Sequence, residues 1–298
     1  MATQLADYEV TGSVLEDGTT PCLRARRPAR LGGDNGAVTI WILGPLARTP
    51  WPAARSRLEP IAAVRGDSLP DWLEAGVADW AQRPVVWVSA ATPVTTTLAS
   101  SPAGMDVPAQ LRAIASAARG AHALHEQGQF HGAICPQAVA IVGGDQAGSE
   151  VSGGPGTAAG GGGANLSSSA AAVLAPPSLA DGGRPVAQVG YPPLAFMDPQ
   201  LLRGAGGRWS DIWALGATAH QVVAGSPPYQ GLEEVAVVQA ISRLLTGPAP
   251  VLGQLPGAVN DLVASCLSID PADRPSTARE VADRLEEGAG TWPGPAGQ

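Results

Sequence analysis

A two-lobed α+β fold, with a small β-rich lobe carrying one helix and a larger helical lobe after it, is what this sequence predicts. Three observations predict it. Apolar residues recur at strand period in the first third and at helix period after Val107, and a tract of Gly, Ala and Ser interrupts the helical part. At 298 residues the chain is long enough to bury a core in each lobe.

The elements follow in order. Tyr8 to Leu15, Cys22 to Arg27 and Ala37 to Leu43 are β-prone runs separated by Asp17-Gly18 and by Leu31-Gly32-Gly33-Asp34-Asn35-Gly36, which predicts an antiparallel meander. Pro52 to Val64 predicts a helix with Leu58, Ile61 and Ala62 on one face, limited or kinked by Pro60. Trp72 to Val77 and Val85 to Ser89 complete the small lobe, residues 1–90. A polar, Pro-punctuated connection over 91–106 precedes the large lobe, 107–290, and a tail covers 291–298. Leu111, Ile114, Ala118, Ala121 and Leu124 give the first large-lobe helix a buried stripe that Gly128 ends. Further helices are predicted at Ser210 to Ala224, Leu232 to Leu245, Ala258 to Leu267 and Thr277 to Glu286, the last opened by a Thr277/Glu280 capping box. The tract from Gly143 to about Gly183 lacks apolar anchors and is expected to be a disordered insertion.

Composition narrows the function classes. With net charge −8 and arginines interspersed with acids, the chain has no basic face for nucleic acid or an anionic membrane. Cys22, Cys135 and Cys266 are too few and scattered for a disulfide framework or a zinc site. No apolar run reaches the roughly 18 residues of a membrane span, and Met1 to Val10 does not read as a leader, so a cytoplasmic protein is expected. Most informative is an absence: all 18 Lys+Arg cations are arginines.

His125-Glu126-Gln127-Gly128-Gln129-Phe130-His131-Gly132-Ala133-Ile134-Cys135-Pro136-Gln137-Ala138-Val139 resembles the helix end and catalytic loop of bacterial, actinobacterial-type Ser/Thr protein kinases. Downstream, Phe196-Met197-Asp198-Pro199-Gln200 resembles the end of an activation segment. Ser210-Asp211-Ile212-Trp213-Ala214-Leu215-Gly216-Ala217 is similar to the central large-lobe helix, Ser226-Pro227-Pro228-Tyr229 to its exit, and Cys266 to Ser276 to the late arginine motif. The resemblance covers roughly Tyr8 to Leu285 and implies a bilobal protein-kinase-like fold.

It also implies what is missing. The catalytic aspartate position is Ala133, the loop lysine Cys135, the magnesium-binding asparagine Ala138, and Trp41 stands where the strand lysine holds the phosphates. The glycine-rich loop position, Ser13 to Arg24, keeps only Gly18. Glu59 matches the helix glutamate and lacks its lysine, which leaves it a solvated carboxylate. Asp181 is either a remnant metal ligand or a turn residue of the low-complexity tract. His131, Pro136, Asp211, Gly216 and Arg274 remain as architecture, and Arg274 faces Gln200 where the family has glutamate, unless Asp198 accepts it. Trp41 is expected to fill the cleft. His122, His125 and His131 are read as loop and helix residues rather than a zinc cluster, and Cys135 as a buried hydrophobe.

These residues predict no cofactor and no catalysis: a pseudokinase that binds protein partners, such as an active Ser/Thr kinase or a phosphopeptide-binding protein, in bacterial phosphosignalling. The alternatives are an atypical kinase or nucleotide sensor, and a phospho-acceptor using Thr95-Thr96-Thr97 or the inserted serines.

Overall fold

The structure, a computed structural model, describes residues 4–15, 21–32, 36–45, 50–100, 105–143, 171–177, 194–232, 234–246 and 257–292. The small lobe is a six-stranded antiparallel sheet in the order β1-β2-β3-β4-β6-β5, with β1 Gln4–Leu5, β2 Tyr8–Leu15, β3 Cys22–Arg26, β4 Ala37–Pro45, β5 Trp72–Trp80 and β6 Arg83–Ala90. Helix α1, Trp51–Ala63, joins β4 to β5. Strand β4 lies inside the sheet and both its faces are covered. Val38, Ile40 and Ile42 enter a cluster with Leu5, Tyr8 and Trp87, while Trp41 and Leu43 face Ala54 and Leu58 of α1.

Two departures from the sequence reading have local causes. Strands β5 and β6 are longer than predicted and form one hairpin, whose two-residue turn places Ala81 and Gln82 at φ 49° and 62°. Turns of this kind ordinarily carry Gly or Asn, so no sequence marker announced it. Pro60 lies within α1 and does not end it, because Ala54, Leu58 and Ile61 anchor the helix on both sides of the missing donor.

The connection between the lobes is also not a bare linker. Residues Val94–Thr97 form β7, which pairs with β8, Val139–Val142, and β8 pairs with β9, Ala172–Leu174. Strand β9 corrects the expectation for the Gly/Ala/Ser tract. Ala172, Val173, Leu174 and Ala175 are all buried, because Ala-Val-Leu is enough apolar surface once β8 and the first large-lobe helix supply the other wall. The rest of the 143–183 insertion beyond Gly143 and residues 171–177 lies outside the described residues, as do Asp181 and residues 293–298.

The large lobe is built on α2, Val107–Glu126, α3, Pro199–Leu202, α4, Arg208–Ala224, α5, Val237–Thr246, α6, Gly257–Cys266, and α7, Ala278–Gly290. Asp106 caps α2 by accepting from the Ala109 N–H, and Gly128 turns the chain out at φ 67°. Helix α5 starts five residues later than predicted, at Val237. The α7 cap is half of a capping box: Thr277 accepts from the Glu280 N–H, while the Glu280 carboxylate reaches Ser276 instead.

Helix α4 is buried from Ser210 to His220 and forms the axis of the lobe. Its Gly216 is fixed by contact, since a Cβ there would stand 2.3 Å from the Cβ of Cys266. Gly216→Ala is therefore expected to destabilise the protein by about 1–3 kcal/mol, the usual range for overpacking. Denaturant titration checks this, and an unchanged midpoint would mean that α4 and α6 can separate without cost.

Candidate functional site

The site lies where β4, the interlobe connection, β8, β9 and the 131–138 loop meet. Asp211 of α4, fully buried, organises the loop. Its carboxylate accepts from the His131 N–H at 2.8 Å and the Gly132 N–H at 2.7 Å, and lies 2.8 Å from His125 Nε2. His131 Nδ1 accepts from the Ala133 N–H, so its Nε2 carries the proton and donates to the Ala175 carbonyl at 2.8 Å. Burial, the largest cause, pushes the His131 pKa down, and this keeps the ring neutral. His131 and Asp211 thus hold the loop against α4 and the end of β9.

The loop from Ala133 to Ala138 presents no charged side chain. Ala133, Cys135, Pro136 and Ala138 are buried. Trp41 is 3% exposed and packs against Trp72 with ring centroids 5.8 Å apart. Glu59 is exposed on α1 and paired with Arg55 in an i,i+4 bridge. Beside His131, β9 runs on into Ala175 and Pro176, residues without a metal ligand. Among the described residues no group of three His, Cys, Asp or Glu side chains could hold a metal ion.

Apolar contact closes the space between the lobes. Cys22, Trp41, Val88, Ala90 and Val94 share one buried cluster with Ala140, Val173 and Ala175 from β8 and β9. Thr39 adds a polar tie. Its buried hydroxyl donates to the Thr92 carbonyl at 2.7 Å and accepts from the Val94 N–H at 3.0 Å, so two backbone groups of the connection are satisfied by β4. A second tie lies behind α1: the Ser68 carbonyl accepts from the Leu174 N–H at 3.0 Å, and its hydroxyl meets Ser116 of α2 at 3.1 Å. Gly120 permits that approach, because a Cβ there would sit 2.7 Å from the Ser68 oxygen. Thr39→Val, which keeps the shape and removes the hydroxyl, is expected to cost about 1–3 kcal/mol by leaving the Val94 N–H unpaired. Thermal unfolding checks this, with Thr39→Ser expected to retain most of the stability.

Arg57 of α1 points toward the same loop. A Cβ on Gly132 would stand 3.8 Å from its guanidinium, and burial, only partly offset by Asp211, lowers its pKa. The late arginine is paired differently from the family pattern. Arg274 donates to both oxygens of Asp198, at 2.9 and 3.1 Å, and to the Trp209 and Ser268 carbonyls; Gln200 is not its partner. Thr39, Ser68, Arg57 and Pro176 were not singled out by the sequence. Thr39 alone left a signal there, as one hydroxyl in an otherwise apolar strand.

Comparison with known proteins agrees with this architecture. No protein-family model matches the chain. A stretch of 96 residues, 31% of the chain, is 33% identical to the serine/threonine-protein kinase PknK of Mycobacterium bovis. Another of 104 residues, 34% of the chain, is 32% identical to the probable serine/threonine-protein kinase PkwA of Thermomonospora curvata. These stretches span 9% of PknK and 14% of PkwA. In fold, the chain superposes on the PknI kinase domain of Mycobacterium tuberculosis with a TM-score of 0.60 at 18% identity, covering 96% of this chain and 99% of that one.

Proposed function

We propose that this protein-kinase-like domain of actinobacterial type is a pseudokinase, which binds protein partners and does not transfer phosphate. One observation carries the reading: Trp41, Ala133 and Ala138 are buried and without charge, and they stand where the resemblance implies the phosphate lysine, the catalytic aspartate and the metal-binding asparagine. Phosphoryl transfer depends on positioning and on charge stabilisation by metal ions and cations. A site that has replaced all three of those groups with apolar side chains has little to offer a transition state.

The closed interlobe cluster and the Thr39 tie support the same reading from the side of binding. A nucleotide would have to displace Trp41 from the phosphate end and part Cys22, Ala90 and Val94 from Ala140 and Val173. What such a domain retains is a folded surface, and recognition of a partner in Ser/Thr phosphosignalling, an active kinase or a phosphopeptide-binding protein, is the role that fits it. Isothermal calorimetry with ATP, with and without magnesium, tests the exclusion of nucleotide. No binding heat is expected up to roughly 1 mM, whereas a Kd near 1 μM would overturn the closed-cleft reading.

A further inference from the structure

The threonines of the interlobe connection have different settings. Strand β7 is the outer strand of its sheet, so one edge of the connection has no strand paired to it. Its register with β8 breaks between Val94, opposite Val142, and Thr96, opposite Ile141, which leaves Thr95 as the extra residue of a bulge. Thr95 is exposed. Its methyl lies over Gly143, where a Cβ would stand 2.5 Å away, and its hydroxyl donates to the Ile141 carbonyl at 3.1 Å. Thr96 is half-buried and donates to the Ser100 carbonyl, and Thr97 is buried. Of the three, Thr95 is the one whose side chain a second protein reaches from solvent.

A cation already stands at that residue. Arg24 of β3 is exposed and donates from Nη2 to the Thr95 carbonyl at 3.2 Å, reaching from the small lobe to the connection. Arg26 and Arg30 are paired with carboxylates, whereas Arg24 forms no ion pair among the described residues. The rest of its five donors are open to a new acceptor. A phosphate ester on Thr95 brings nearly two negative charges and three acceptor oxygens to this guanidinium. The donation to Ile141 is lost, and charge-assisted bonds of roughly twice its strength replace it.

We propose that Thr95 is a phosphorylation site for a partner Ser/Thr kinase and that Arg24 holds the phosphate, which pins the small lobe to the connection. This rests on the protein-binding reading above and names what a bound kinase does to this chain. The phosphate comes from ATP held by the partner. The bond from Thr95 Oγ to the γ-phosphorus forms, the bond from that phosphorus to the ADP oxygen breaks, and the hydroxyl proton passes to the partner's catalytic carboxylate. This chain supplies the acceptor and the clamp.

The test incubates the full chain with the serine/threonine-protein kinase PknK, ATP and magnesium, and maps the product by mass spectrometry. Phosphate is expected on residue 95 of the unaltered chain and of Thr95→Ser, and not on residue 95 of Thr95→Val. In the phosphorylated chain, phosphorus NMR should find the second phosphate pKa about one unit below its usual value of about 6, and Arg24→Gln, at an exposed position, should restore that value. No phosphate on Thr95 when PknK has labelled a general protein substrate, or a titration that Arg24→Gln does not move, would overturn the proposal. Labelling of the chain without added kinase would contradict the pseudokinase reading and leave the Thr95 and Arg24 results standing, so the two failures are separable.

Discussion

Arg274→Met is expected to cost the protein about 3–5 kcal/mol, the range for a buried ion pair that loses one partner. Both side chains are almost fully buried, at 0% and 1% exposure, and Arg274 also lies over the Trp213 ring with 5.0 Å to its centroid. Removing the guanidinium leaves the Asp198 carboxylate in the large-lobe interior with only the Ser210 hydroxyl and the Gln200 N–H as donors. Chemical denaturation measures the loss, and the double variant Arg274→Met/Asp198→Asn should recover part of it because no charge then stays buried alone. A single-variant loss below about 1 kcal/mol would mean that the pair behaves like a solvated one.

Trp41→Ala should be comparably damaging, at about 3–5 kcal/mol if the vacated space cannot collapse. The indole joins β4 to Ala54 and Leu58 of α1 and to Trp72, and it belongs to the same cluster as Ala140 and Val173. Collapse is resisted on both sides, by the Thr39 tie at the connection and by the Ser68 tie behind α1. Thermal unfolding checks the magnitude. A cost below about 1 kcal/mol would indicate that the indole is packed too loosely to close the cleft.

Much of the fold was legible because alternation and helical period are properties of the chain itself. Strand β2 was read to its residue, Tyr8 to Leu15, and β4 was found from Val38-Thr39-Ile40-Trp41. Strand β1 was missed because two residues carry no period. Strand β9 was missed because Ala172-Val173-Leu174 is apolar only for three residues inside a low-complexity tract, and only β8 and α2 make it a strand. The β5–β6 hairpin was divided because Ala81 and Gln82 give no turn signal.

The candidate site divided along the same line. Residue types can be read directly, so the absence of lysine and the alanines at 133 and 138 needed no coordinates. Partnerships that depend on distant segments did. Thr39 meets Thr92 and Val94 only because β4 runs beside the connection, and Arg274 finds Asp198 rather than Gln200 because Asp198, capping α3 through the Gln200 N–H, turns its carboxylate inward.

The central claim is that a kinase-like architecture is retained here without phosphoryl transfer, and incorporation of radiolabelled phosphate from ATP tests it most directly. The purified chain is to be assayed with magnesium and with manganese, alone and with a general protein substrate, against a heat-killed control. Incorporation indistinguishable from that control under every condition is the predicted result. Time-dependent incorporation that scales with protein concentration would contradict the account, since it would require Trp41, Ala133 and Ala138 to be bypassed by groups that the described residues of the cleft do not present.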